Sequence, residues 1–307
     1  MAFIKLTERQ EKLREEVREF VKGELTPEVA EEFDPLGISA PSMLEPFRQF
    51  VTKLGQKRWL DPWLPEELGG IGASHVDTLI LNDELLIQGA YAPLSMMAVA
   101  PINVAPTLFR IGNEEQKKEY LPRIARGEIE FCIGYTEPEA GTDMASIQTQ
   151  AVEDGDDYVV NGQKTFNTHC HCADYHLLLV RTDPSVPKHR GLSILIVDLK
   201  SPGITILPMW CMGGERTNEV FYDNVRVPQK NLMGEKNRGF YYAMTQLQFE
   251  RSFPSGGLKW ILNKLIEFSQ QTKLAKDLII QQKLAGLAIE VEVASLFDYR
   301  ITCLLDE

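Results

Sequence analysis

The chain is poor in what several functional classes require. Its five cysteines, Cys132, Cys170, Cys172, Cys211 and Cys303, are too few and odd in number for a disulfide framework, and fit free thiols in a reducing compartment. Positive charge is also scarce: 32 Lys and Arg stand against 44 Asp and Glu, a net charge of -12. No basic surface is left for counterion release, which excludes DNA and RNA as partners; a polyanionic ligand has to be met locally. The N-terminal run Met-Ala-Phe-Ile-Lys-Leu-Thr-Glu-Arg lacks the apolar core of a secretory signal and points to the cytoplasm. Residues 90–109 hold no charged side chain, yet Pro93, Pro101 and Pro106 with Ser95 and Asn103 predict an interrupted buried helix rather than a membrane span.

Phosphate loops are missing too. In Gly162-Gln163-Lys164-Thr165 the lysine is separated from its glycine and lies in a hairpin context, and no strand feeds Gly69-Gly70-Ile71-Gly72. His169-Cys170-His171-Cys172, followed by His176, contains metal-ligand residue types but no second separated pair. On a strand the two histidines would face away from the two cysteines, so no metal site is expected.

What is present is a soluble globular composition, 44% hydrophobic and 25% charged, over 307 residues, more than a single core usually holds. Residues 1–128 read as an all-α domain. Leu13, Val17, Phe20 and Val21 form one stripe, and Phe47, Phe50, Val51 and Leu54 form the inner face of a helix opening at Pro41-Ser42-Met43-Leu44. Residues 129–237 read as an antiparallel sheet domain, with strands at 146–152, 157–161, 175–181, 192–199, 204–209 and 219–227 and tight turns at Asp154-Gly155 and Asn161-Gly162. Residues 238–307 return to helical spacing at 240–265 and 273–304, the second too apolar to have one covered face. The fold class expected is α+β, ending in an incomplete helical bundle that calls for another chain or further residues.

The loop Tyr135-Thr136-Glu137-Pro138-Glu139-Ala140-Gly141-Thr142-Asp143 follows the apolar run Phe131-Cys132-Ile133-Gly134 and has no phosphate-binding lysine. Its short hydroxyls suit a neutral, flat ligand. In this order of domains the loop resembles the signature of the acyl-CoA dehydrogenase family. The resemblance continues through Asp157-Tyr158-Val159-Val160-Asn161-Gly162-Gln163-Lys164, Thr165-Phe166-Asn167-Thr168, Val225-Arg226-Val227-Pro228 and Arg238-Gly239-Phe240, and covers nearly the whole chain.

The resemblance implies FAD as cofactor, with Tyr135 and Thr136 lining the flavin ring, Thr142 near the FAD phosphates or the thioester, Phe166 against the flavin and Thr168 near N5. Glu137 and Asp143 would fix the loop, and 165–168 would be a strand. The implied reaction is α,β-dehydrogenation of an acyl-CoA, with Glu250 of Gln248-Phe249-Glu250-Arg251 at the position of the base and Arg251 beside the substrate. The acyl pocket would draw on residues 90–106 and the helix that starts at Phe240. An electron-transfer flavoprotein would be the acceptor, and the C-terminal helices would mediate homo- or hetero-oligomer formation. Gln271-Thr272-Lys273-Leu274-Ala275 departs from the family's Arg-x-x-Phe-Gly, and the later Gln-x-x-Gly-Gly element is absent. Two rival expectations follow: a flavin-dependent monooxygenase or oxidase on the same fold, and a non-catalytic partner subunit.

Overall fold

The computed structural model describes residues 6–25, 44–90, 99–212, 216–250 and 254–306. Helix α1 (Glu8–Glu24) begins at a capping box, in which the Thr7 hydroxyl accepts the Gln10 amide and the Gln10 side chain accepts the Thr7 amide. Its expected stripe is the buried one: Val17 and Val21 pack with Phe50 and Leu54, with Leu13 and Phe20 at the margin. Helix α2 (Leu44–Gln56) turns Phe47, Phe50, Val51 and Leu54 inward as expected, while Pro41 to Met43 lie outside the described residues.

Helix α3 (His75–Ile87), a π turn (Ala100–Val104), α4 (Ala105–Ile111) and α5 (Glu114–Ala125) complete the first helical layer. Residues 91–98 of the uncharged stretch lie outside the described residues. No helix among the described residues is long and apolar enough to cross a membrane.

The sheet contains β1 (Phe131–Gly134), β2 (Gln150–Asp154), β3 (Asp157–Lys164), β4 (Tyr175–Arg181), β5 (Leu192–Asp198), β6 (Ile204–Trp210), β7 (Arg216–Pro228) and β8 (Leu232–Met233). Its order is β6-β7-β3-β2-β4-β5-β8, with β1 beside β4. The pairings are not all antiparallel: β1–β4 and the single β2–β4 contact run parallel. That places the end of β1, and the loop after it, beside the middle of β4 rather than at a hairpin.

Strands β4 and β5 are near-continuous apolar runs because both of their faces are covered. Leu177, Leu179, Ile194 and Ile196 face the helices, while Leu178, Val180, Leu195 and Val197 face Val160, Tyr222 and Val225. The Asp154-Gly155 turn forms as expected, with Gly155 at φ 64°. Asn161-Gly162 does not turn the chain. It forms a bulge inside β3, where Gly162 has φ 145° and a β-carbon would lie 2.7 Å from Thr149.

The expected helix over 240–265 is two helices, α6 (Gly239–Glu250) and α7 (Gly256–Gln271), with Pro254 in the break. Helix α8 (Leu278–Asp306) follows a left-handed Lys273 at φ 64°. Its apolar side chains Leu287, Ile289, Val293 and Leu296 are exposed, as are Ile261 and Leu265 of α7.

Candidate active site

The β1 loop is pinned from beneath by a buried ion pair. Lys164, 0% exposed, donates from Nζ to Glu137 Oε1 at 2.8 Å and to the Tyr135 carbonyl at 3.1 Å. Glu137 also accepts the Thr149 amide at 2.9 Å and the Gln148 amide at 2.6 Å. Burial pulls the Lys164 ammonium down to about 8, and the Glu137 charge opposes that fall. Burial pushes Glu137 up, but the Lys164 charge and the hydrogen bonds outweigh it and hold the carboxyl below its usual range. The pair is therefore ionised at neutral pH. Asp143 fixes the outer part of the loop by accepting from Ser146 Oγ and Lys188 Nζ.

A backbone bond joins the two expected flavin segments: the Thr165 amide donates to the Thr136 carbonyl at 2.9 Å. Residues 165–168 are a loop after β3, not a strand. Asn167 is the reason. Its amide donates to the Asn218 carbonyl at 3.0 Å, Asn218 Nδ2 returns a bond to its carbonyl at 2.8 Å, and its Oδ1 accepts from His176 Nε2 at 3.0 Å. With Asn167 turned inward and 1% exposed, its neighbours point out: Phe166 is 61% exposed at φ 56°, and Thr168 is exposed. Gly134 allows the same close packing, since a β-carbon there would come within 2.3 Å of His176 Nε2.

The histidine and cysteine run belongs to this support. Cys170–Cys172 is a 3-10 turn rather than a strand, and His171 Nδ1 accepts from Asn218 Nδ2 at 3.1 Å. Cys132, Cys170 and His176 bring candidate ligand atoms within 4.8 Å of one another. However, the His176 ring is already engaged, with Nε2 donating to Asn167 and Nδ1 accepting from Tyr222 at 2.5 Å. Burial lowers His176 to about 3 and His169 to about 4, so both rings are neutral.

A cavity of about 550 Å³ lies among α3, the π turn, α4 and the end of α6. Ile102 and Pro106 line it, and so does Phe249 of α6. Composition gave no hint of the rest of its wall, Thr78 and Asn82 of α3 with Asp61 and Trp63 of the preceding connection. Helix α6 ends at Glu250, the residue after Phe249; its side chain and all of Arg251 lie outside the described residues.

Beside the cavity, Glu130 accepts the Ala100 and Phe131 amides at 2.7 and 3.1 Å. Burial pushes it up to about 8, the two amides and Arg48 acting against the rise and Asp174 adding to it. The folded state therefore holds a proton that the unfolded state loses above about 4.5. This stabilisation is full below pH 4.5 and fades as pH rises to 8. Glu130→Gln keeps the acceptor oxygen without the titration. Its stability relative to the parent should rise by roughly 3–4 kcal/mol between pH 5 and pH 8, read from urea unfolding; a constant difference over that range contradicts the assignment.

Residues 7–128 match the N-terminal domain of acyl-CoA dehydrogenases, and residues 132–225 match their middle domain. The chain belongs to the acyl-CoA dehydrogenase family. It is 38% identical over 309 residues to acyl-CoA dehydrogenase FadE26 of Mycobacterium tuberculosis, covering 97% of this chain and 76% of that protein. Among solved structures, it is similar to the ChsE4-ChsE5 complex of Mycobacterium tuberculosis, with a TM-score of 0.85 and 38% identity over 98% of this chain and 78% of the other. It is also similar to a glutaryl-CoA dehydrogenase of Mycobacterium smegmatis solved in complex with FADH2, with a TM-score of 0.80 and 25% identity over 98% and 77% of the two chains.

This acyl-CoA dehydrogenase therefore spans about three quarters of the length of those relatives. FAD is the cofactor of the family, and the chain's own residues fit a flavin ring. An aromatic face is presented to solvent from a left-handed backbone, next to a loop carrying Thr136, and Thr168 stands exposed beside it. Buried Thr217 Oγ1 and His171 Nε2, on the strand and turn that support this loop, have no partner among the described residues.

Proposed function

We propose that the protein is a cytoplasmic enzyme of acyl-chain metabolism that dehydrogenates the α,β bond of an acyl-CoA thioester. The observation that carries the reading is the bond between Thr165 and Thr136, which makes one seat of the exposed Phe166 loop and the Tyr135 loop. When bound, FAD supplies the acceptor for the β-hydride. The chain's residues do the rest. Glu250, at the end of α6 next to the cavity, takes the α-proton; Tyr135, Thr136, Phe166 and Thr168 hold the flavin ring; and Thr142 and Arg251 hold the thioester side of the substrate. The apolar cavity keeps water from the carboxylate, which raises its basicity towards neutrality.

Local positive charge for the CoA phosphates is available despite the acidic total. The turn that carries Arg190 meets the start of α6 through His189, 6.5 Å from the exposed Tyr241 ring, and the Arg238 guanidinium lies 4.7 Å over the same ring. Electrons leave to an electron-transfer flavoprotein. The division at 128/129 and 237/238 is part of this reading, with the flavin seat in the middle unit. The exposed apolar side chains of α7 and α8 support a second reading, in which the chain works as one subunit of a homo- or hetero-oligomer.

The test is an absorbance spectrum of the purified protein followed by anaerobic titration with acyl-CoAs. A flavin band that bleaches with at least one acyl chain is expected. A colourless protein points to the partner-subunit reading, and rapid oxygen consumption without an added acceptor points to an oxidase or monooxygenase.

A further inference from the structure

The cavity wall carries one group that an apolar acyl chain would not need. Asp61 is 1% exposed and lines the cavity. Its Oδ1 accepts the Trp63 indole N–H at 3.1 Å, which fixes the plane of the carboxyl, while Oδ2 has no partner among the described residues. Trp63 in turn meets Phe109 edge-on, with centroids 5.4 Å apart, so that the carboxyl is held by a packed aromatic wall and not by a mobile loop tip. Burial above all, with a further push from Glu130, raises Asp61 well above the carboxylate range. A neutral carboxylic acid has one O–H to donate.

Arg110, the residue after Phe109, lines the same cavity. The cavity itself is large. It follows α3 from His75 to Leu86, twelve residues and about 16 Å of helix.

We infer that Asp61 sets substrate specificity by donating a hydrogen bond to an oxygen on the body of the acyl group, so that the cavity selects bulky acyl-CoAs bearing a carbonyl over their hydrocarbon counterparts. The inference rests on the acyl-CoA dehydrogenase reading. It concerns the wall built by the connection before α3 and by α4, not the α6 end where the base is placed. Asp61 positions and discriminates; it takes no part in the hydride or proton transfer.

The experiment uses the FAD-loaded protein and two CoA thioesters of one skeleton, 3-(4-oxocyclohexyl)propanoyl-CoA and 3-cyclohexylpropanoyl-CoA. The parent should favour the ketone at least tenfold in kcat/KM, equal to about 1.4 kcal/mol. Asp61→Leu should bring that ratio close to one. Asp61→Asn, which keeps an N–H donor, should retain most of the preference and guards against a leucine variant that fails to fold. Calorimetric Kd values for the two thioesters should show the same ratios without turnover. Equal treatment of the two thioesters by the parent, or a preference that survives Asp61→Leu, overturns the inference alone. If neither these compounds nor any other acyl-CoA bleaches the flavin, the dehydrogenation reading falls and takes the inference with it.

Discussion

Glu250→Gln should leave the flavin band intact and slow its bleaching by acyl-CoA by about 10²–10⁴-fold, the usual contribution of a general base. The substitution is nearly isosteric, so the loss falls on proton transfer and not on folding. The expectation follows from the path of α6. The helix packs against β4, β5, the π turn and α4, its penultimate residue Phe249 lines the cavity, and it ends on Glu250. In the proposed mechanism that carboxylate would meet substrate in a water-poor space, where the charged form is disfavoured and the proton affinity rises. The readout is stopped-flow absorbance under anaerobic conditions, with binding of the same acyl-CoA measured separately. A variant that binds equally well and bleaches at the parental rate would transfer the proton to another carboxylate and remove Glu250 from the mechanism.

The parts of the molecule legible in the sequence are those governed by local repetition. Val17 and Val21 recur at helical spacing and are buried; Leu177 to Val180 alternate between two cores and form a strand covered on both faces. The hydroxyls of the loop from Tyr135 to Asp143, set behind a short apolar strand, point to a neutral flat ligand, while its role as a flavin seat comes from the family resemblance.

What stayed hidden depends on distant partners. Asn161-Gly162 has the composition of a turn, yet Thr149, just before the neighbouring strand β2, lies so close that only glycine fits, and the pair becomes a bulge. The run from His169 to Cys172 suggests metal ligands by residue type, while the structure uses His171 and His176 to hold Asn218 and Asn167. No periodicity announces a bond between residues 167 and 218. The cavity is hidden for the same reason, since Asp61, Asn82, Ile102 and Phe249 come from four separate segments.

Lys164→Met should destabilise the protein by about 3–5 kcal/mol, the usual result of removing one member of a buried pair. At about 2–4 °C per kcal/mol, the melting temperature should fall by roughly 10 °C. Methionine fills much of the space, so lost packing is a minor part. The larger cost is that Glu137, 6% exposed, keeps its charge without the cation, and the Tyr135 carbonyl loses its donor. Both sit in the loop that forms the flavin seat, so FAD should also dissociate more readily, measured by ultrafiltration of the coloured protein.

Two controls separate this cause from a general weakening. Adding Glu137→Leu to Lys164→Met should recover part of the lost stability, because the uncompensated charge is then gone. The second control is pH. Glu137 has a depressed pKa in the folded protein, so its contribution is present above about 4.5 and is lost as pH falls through the folded value. The gap between parent and Lys164→Met should accordingly narrow on acidification below pH 4.5. A gap that stays constant across that range, or a double variant less stable than the single one, would mean that the ion pair does not hold the loop.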